Sequence, residues 1–433
     1  MSELAKRFDE VLAGSPLDAR GAPASSRFAE QRGGDAAARR LSPPALIGLA
    51  RLVATQPELA SFLANRPAWL ERAAELGPDT LAQRGAELAG PNAALAALDL
   101  EGALDALRLR RREEMALAAC AHLGGIAPFE TVSVYLSLLA EATTRDALEL
   151  ARTHLRGPDP GDEFAVIGMG KIAGREFTYH SDLDLIFLYG GGTAIDRASR
   201  LGQKLIAFLT TMTGAGVAYA VDTRLRPSGQ QGMLVASFEG YERYQTREAA
   251  TWEHLAMLRA RPIAGATAAA DERLRAVRAH VLPHALPPWR ELAELRQRVI
   301  DERARGYDGA AAFKTGAGGL MDVDFIAGGG LLECGARTFP EQPSVRAMLA
   351  AAGADAASAA LLADYQLLRR VEACTRWAAG RSLERLPAEL TGIAELVEPG
   401  SGPEALREAV AAARRRVRDA YTRVVARGSI AAL

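Results

Sequence analysis

Two aspartates set into one apolar strand constrain this chain more than any other feature. In Ser181-Asp182-Leu183-Asp184-Leu185-Ile186-Phe187-Leu188-Tyr189, side chains on an extended backbone alternate, so Asp182 and Asp184 share one face while Leu183, Leu185 and Phe187 face a core. Aspartate is a poor strand former and paired carboxylates repel, so the arrangement is costly unless a cation neutralises it. Oxygen ligands suit Mg²⁺ or Mn²⁺, which bind one or two carboxylates together with phosphate oxygens and water. Solvated aspartates at a strand end would show the same spacing. A second strand candidate, Tyr219-Ala220-Val221-Asp222-Thr223-Arg224-Leu225-Arg226-Pro227, puts Asp222, Arg224 and Arg226 on the face opposite Val221 and Leu225. Laid beside the first, it would complete a three-carboxylate clamp of the kind that serves in-line nucleotidyl transfer, with guanidiniums at hand for a triphosphate. An amphipathic edge strand with exposed Arg and Asp is the plainer alternative.

Upstream, Val166-Ile167-Gly168-Met169-Gly170-Lys171 ends a strand in a glycine turn. Glycines let a backbone approach phosphates, and Lys171 adds charge. Gly168, Gly170 and Ala173 also satisfy the dinucleotide fingerprint, which would make the chain a nicotinamide-dependent dehydrogenase. That fingerprint must open a crossover helix, yet the extended-favouring Phe177, Thr178 and Tyr179 intervene before the next strand. Ile172 stands where a Walker loop requires Ser or Thr.

With 433 residues, the chain exceeds what one core usually holds, which predicts several domains. Residues 1–40 read as a mobile arm, small and polar from Gly14 onward. Helical periodicity over 41–156 predicts a helical domain, with Arg110, Arg111 and Arg112 as a solvated helix face. The Gly157-Pro158-Asp159-Pro160-Gly161 linker opens a mixed region over 157–265, and 266–433 returns to long helical patterns. The fold class predicted is α+β, a mixed sheet with helices flanked by helical domains. A formal net charge of −1 gives no global field for nucleic acid. Cys120, Cys334 and Cys374 are too dispersed for a disulfide framework or zinc site, and no apolar run spans a bilayer, so a cytoplasmic protein without membrane contact is expected. His280 and His284 have no third ligand nearby and predict no metal site.

The glycine turn, the serine before the paired aspartates and the later strand aspartate together resemble the nucleotidyltransferase superfamily. Within it, GMGKIAGREFTYHSDLDLIFLY, VDTRLRPSGQQGMLVASFEGYERYQ, TWEHLAMLRARPIAG and GGLMDVDFI resemble the glutamine-synthetase adenylyltransferase family, densely from Phe164 to Phe325. LRLRRREEMALAACAHL and YQLLRRVEACTRW extend the likeness more thinly. Long members carry two halves, one attaching AMP to glutamine synthetase and one removing it by phosphorolysis. Thr223, His254 and Asp322, in their local motifs, resemble the attaching, C-terminal half.

The resemblance implies a tyrosine hydroxyl of glutamine synthetase as acceptor, ATP as donor, and a PII-type signal protein as a further partner under nitrogen-dependent control. It implies Asp182, Asp184 and Asp222 on Mg²⁺ or Mn²⁺, with Asp222 also assisting proton loss. Gly168, Gly170, Lys171, Ser181, Arg224 and Arg226 would bind nucleotide, and Arg259 and Arg261 are further phosphate candidates beside the alternative of surface ion pairs. Trp252, Tyr241 and Tyr244 are expected in the core. Phe313–Asp324 resembles a family motif that brings Lys314 and acids to the same cleft, but departs from it in the run Gly328-Gly329-Gly330. Interior glycines cost a helix roughly 0.8–1 kcal/mol each relative to alanine, which predicts a broken or loose helix there and leaves open a nucleotide-sensing module without catalysis.

Overall fold

The computed structural model describes residues 2–18, 28, 36, 39–155, 163–191, 194–282, 289–304, 311–335, 339–354 and 356–433. Within the stretch read as an arm, α1 (Glu3–Leu12) is an amphipathic helix, N-capped by Ser2, that buries Leu4, Phe8 and Leu12. Most of 19–38 and the Gly157–Gly161 linker lie outside the described residues. Helices α2 (Pro43–Thr55), α3 (Pro57–Ala64), α4 (Pro67–Ala74), α5 (Thr80–Glu87), α6 (Leu100–Leu123) and α7 (Phe129–Thr153) follow before the sheet. Proline at the first turn of α2, α3 and α4 sets each start, where a missing N–H costs nothing.

The middle of the chain alternates β1 (Phe164–Met169), β2 (Leu183–Tyr189), α8 (Ile195–Thr210), β3 (Val221–Asp222), β4 (Val235–Ser237), α9 (Phe238–Arg247), α10 (Thr251–Leu258) and β5 (Ala260–Gly265). β1 is central and buried along its whole length. It runs antiparallel to β2 on one side and β5 on the other. β3 and β4 share the far edge of β2, both parallel to it, β3 at its start and β4 at its end. The sheet is therefore mixed and, with the surrounding helices, makes an α+β protein. Antiparallel β1 and β2 are joined without a crossover helix, which removes the geometric basis of the dinucleotide-binding alternative.

One sheet face, through Ile167, Ile186 and Leu188, packs on Phe238 and Tyr241 of α9 and on α11 (Thr267–Val281). The opposite face, through Val166, Leu185 and Phe187, joins a continuous core that runs from Leu4 to Ile430. The C-terminal helices are α12 (Trp289–Ala304), α13 (Leu320–Glu333), α14 (Val345–Ala351), α15 (Ala359–Ala379), α16 (Thr391–Val397) and α17 (Pro403–Arg427). They close back onto the N-terminal ones: Arg51 of α2 pairs with Glu395 of α16 at 2.9 Å, and Trp377 Nε1 of α15 donates to Thr55 Oγ1 at 2.9 Å.

The expected break in α13 does not occur. Leu320–Glu333 is one helix with Gly328, Gly329 and Gly330 buried inside it. A Cβ at these positions would lie 2.3 Å from Leu255, 2.7 Å from the Trp289 ring and 2.7 Å from Ile430. Close packing at Gly329 and Gly330 therefore outweighs the local cost of glycine there, which propensity alone does not register. The expected solvated face of α6 is also absent. Arg110 pairs with Asp146 at 2.9 Å, while Arg111 and Arg112 lie over the Tyr219 and Phe62 rings at 4.6 and 3.9 Å. No helix among the described residues is long and apolar enough to cross a membrane.

Candidate active site

Parallel pairing of β2 with β3 sets Asp184 in register with Asp222. Asp182 precedes β2 on the same face, and one carboxylate oxygen from each of the three lies within 4.8 Å of the others. Asp182 is exposed; Asp184 and Asp222 are half-buried. Burial, followed by repulsion from Asp182 and Asp222, pushes the Asp184 carboxyl up to about 7. Lys314 and Lys171 offset part of that repulsion. Asp222 moves the opposite way, held below the usual carboxylate range by hydrogen bonds from Arg224. Three hard oxygen donors that repel one another in a cleft fit a divalent cation such as Mg²⁺ or Mn²⁺.

The surrounding residues separate into those the cleft uses and those that support it. Gly170 has φ +60°, the left-handed conformation that favours glycine, and lies beside Asp184, where an added Cβ would make an ordinary contact at 3.6 Å from Oδ2. Its N–H donates to the Arg259 carbonyl at 2.8 Å. Gly168 is instead a packing position, where a Cβ would meet Ile172 at 2.8 Å and Ile263 at 3.0 Å. Lys171 Nζ donates to Glu372 Oε1 at 2.5 Å. Ser181 is buried; its Oγ accepts from the Thr178 N–H at 3.2 Å and from Arg376 Nη1 at 3.4 Å. Arg224 Nε donates to Asp222 Oδ2 at 2.7 Å, with its side chain 64% exposed. Arg226 braces the turn after β3 by donating to the Thr223 carbonyl and hydroxyl, each at 2.8 Å.

Arg259 and Arg261 are engaged in internal ties. Arg259 bonds Glu176, and Asp324 at 2.6 Å; Arg261 bonds Glu141, and the Ala173 carbonyl at 2.9 Å. Asp322 is buried against Arg296 at 2.5 Å, so of the Phe313–Asp324 motif Lys314 is the group whose charge acts on Asp184. Tyr241 is in the core as expected, and Tyr244 is half-buried with its hydroxyl donating to Glu253 at 2.5 Å. Trp252, expected in the core, is 41% exposed on α10. His284 lies outside the described residues.

Sequence reasoning missed Glu372, Arg369 and Arg376 of α15. Their i−3 and i+4 spacing about a glutamate puts all three on one helix face, which was the available signal.

Residues 46–276 match the family model for glutamate-ammonia ligase adenylyltransferase. The chain is 37% identical over 325 residues to a protein of Pseudomonas aeruginosa, an alignment covering 66% of this chain and 33% of that one. It is 36% identical over 327 residues to one of Nitrosococcus oceani, covering 67% and 33%, and 38% identical over 252 residues to one of Xanthomonas campestris, covering 54% and 27%. Each of these relatives is named a bifunctional glutamine synthetase adenylyltransferase/adenylyl-removing enzyme. The aligned part spans about a third of the length of the first two.

Proposed function

The chain belongs to the glutamate-ammonia ligase adenylyltransferase family, and on that premise we propose that it transfers AMP from ATP to a tyrosine hydroxyl of glutamine synthetase. The observation that carries this reading is the meeting of the Asp182, Asp184 and Asp222 carboxylates within 4.8 Å. These three residues would hold Mg²⁺ or Mn²⁺, which when bound neutralises charge on the triphosphate and the leaving pyrophosphate.

The tyrosine oxygen forms a bond to the α-phosphorus of ATP, and the bond from that phosphorus to the bridging oxygen of the β-phosphate breaks. Pyrophosphate leaves with the bonding pair. The phenolic proton passes to Asp222, which Arg224 keeps ionised across neutral pH. A free phenol has a pKa near ~10, so proton transfer to so weak a base requires the hydroxyl to be acidified within the cleft. Lys171 stands near enough to Asp184 for its charge to act there, and the exposed Arg224, with Nε and Nη2 kept on Asp222, has Nη1 for the triphosphate. Gly170 supplies the left-handed turn beside Asp184. Gly168 lets β1 pack closely on Ile172 and Ile263, and Ser181 and Arg226 brace the turns that border the site.

The test incubates the protein with Mg²⁺, ATP labelled at the α-phosphate and unmodified glutamine synthetase, beside an Asp182→Ala, Asp184→Ala double variant. Label on a synthetase tyrosine, absent with the variant, is expected. Phosphate-dependent release of AMP from modified synthetase, with no label transferred, would replace this reading with adenylyl removal.

A further inference from the structure

Helix α15 brings a buried carboxylate against the glycine turn from the C-terminal side of the chain. Glu372 is wholly inaccessible to solvent. One of its oxygens accepts from Lys171 at 2.5 Å and lies 3.2 Å from Arg376 Nη2; the other accepts from Arg369. Arg376 in turn donates to Ser181 Oγ, and Arg369 donates to the Glu176 carbonyl. A single carboxylate thus ties down Lys171, just after β1, and through Arg376 also Ser181, just before β2. These are the two ends of the loop that lies beside the carboxylate cluster.

We infer that Glu372 is a positioning residue, which fixes the Lys171 ammonium so that its remaining N–H donors serve the triphosphate of a bound nucleotide. This rests on reading the cleft as a nucleotide site. A lysine stem is long and flexible, and a single charged partner fixes its direction before the ligand arrives, so the ordering cost is not charged to binding. The same pairing of a phosphate-binding lysine with a glutamate from a neighbouring helix places the lysine in an unrelated class of phosphoryl-transfer enzymes.

The alternative, that Glu372 withholds Lys171 as a latch, fits the surroundings less well. Glu372 is gripped by two arginines of its own helix and cannot follow a moving lysine, whereas the Lys171 side chain keeps 22% of its surface exposed. Burial alone would push the Glu372 carboxyl up, but Lys171, Arg369 and Arg376 together hold it well below the usual range, so it stays charged. Burial brings the Lys171 ammonium down to about 7 and Glu372 opposes that fall, so the same carboxylate that fixes the lysine also helps to keep it charged.

A double-mutant cycle tests this with wild type, Glu372→Gln, Lys171→Met and the double variant, each titrated calorimetrically with a non-hydrolysable ATP analogue and Mg²⁺. Glu372→Gln is expected to weaken binding about tenfold in the wild-type background and less than about twofold in Lys171→Met, since the two residues act as one unit. In transfer assays it raises KM for ATP with little change in kcat. Equal weakening in both backgrounds, or full affinity in a folded Glu372→Gln protein, overturns the inference. Should Glu372→Gln fail to fold, Glu372→Asp keeps the charge but retracts it by a methylene; reduced affinity at an unchanged melting temperature supports positioning, and unchanged affinity overturns it. Nucleotide binding with the expected cycle but no label on glutamine synthetase would refute the transfer reading and leave the role of Glu372 intact.

Discussion

Replacing Gly329 with alanine sets helix propensity directly against packing. In an exposed helix the change would stabilise by roughly 0.8–1 kcal/mol. Here the added Cβ would sit 2.7 and 2.8 Å from Cζ3 and Cη2 of Trp289 and 3.1 Å from Leu292 Cδ1. Favourable carbon contacts begin near ~3.5 Å, so something has to move. The indole is buried and its Nε1 donates to Glu333 Oε2 at 2.8 Å, while the same carboxylate oxygen accepts from the Ile430 N–H at 2.7 Å. The ring therefore cannot retreat without disturbing the C-terminal turn. Overpacking of this kind costs about 1–3 kcal/mol, which after the propensity gain leaves a net loss of up to about 2 kcal/mol. Urea unfolding followed by circular dichroism reads it as a lower midpoint at unchanged slope. Gly328→Ala is the control: it meets the Cδ1 of half-buried Leu255, which one side-chain rotation clears, so its effect is near zero or stabilising. A Gly329→Ala protein more stable than wild type would refute the packing account of the glycine run.

Asp322→Ala would strand the Arg296 guanidinium, itself 1% exposed, and is expected to cost about 3–5 kcal/mol by urea unfolding; a loss under about 1 kcal/mol would contradict the anchoring role. With the Asp184 carboxyl at about 7, metal binding must displace a proton, so Mn²⁺ affinity measured by calorimetry should fall about tenfold per pH unit below neutrality, and a flat profile would contradict it. In the metal-free protein the sign reverses: the folded state holds this proton more tightly than the unfolded chain. The group's stabilisation is therefore full at acid pH and lost as pH rises through about 7. Asp182→Asn removes a repelling neighbour, so it should raise the metal-free melting temperature near neutrality while abolishing label transfer; a lower melting temperature would refute the repulsion argument.

The parts of the site legible in sequence were those whose local pattern carried a visible cost. Two aspartates in an apolar strand demand a compensating charge, and period-two alternation placed them on one face, where β3 then delivers Asp222 in register. The missing crossover helix was legible for the same reason, since Phe177 to Tyr179 do not read as helix. The arginines were not. A buried guanidinium is satisfied by whatever carbonyl or carboxylate the fold brings to it, and Arg259 finds Glu176 and Asp324 far along the chain in both directions. The glycine run misled because its neighbours Leu255, Trp289 and Ile430 come from three other segments.

Glu372 is the extreme case, separated from Lys171 by 201 positions, and its partner spacing on α15 signals a charged helix face without saying what it meets. The functional unit therefore cannot be bounded by the strands that carry the acids. A piece ending at Gly265 would keep Asp182, Asp184 and Asp222 yet leave Lys171 without its counter-charge and Ser181 without Arg376, so the helices after the sheet belong to the site as much as the sheet does.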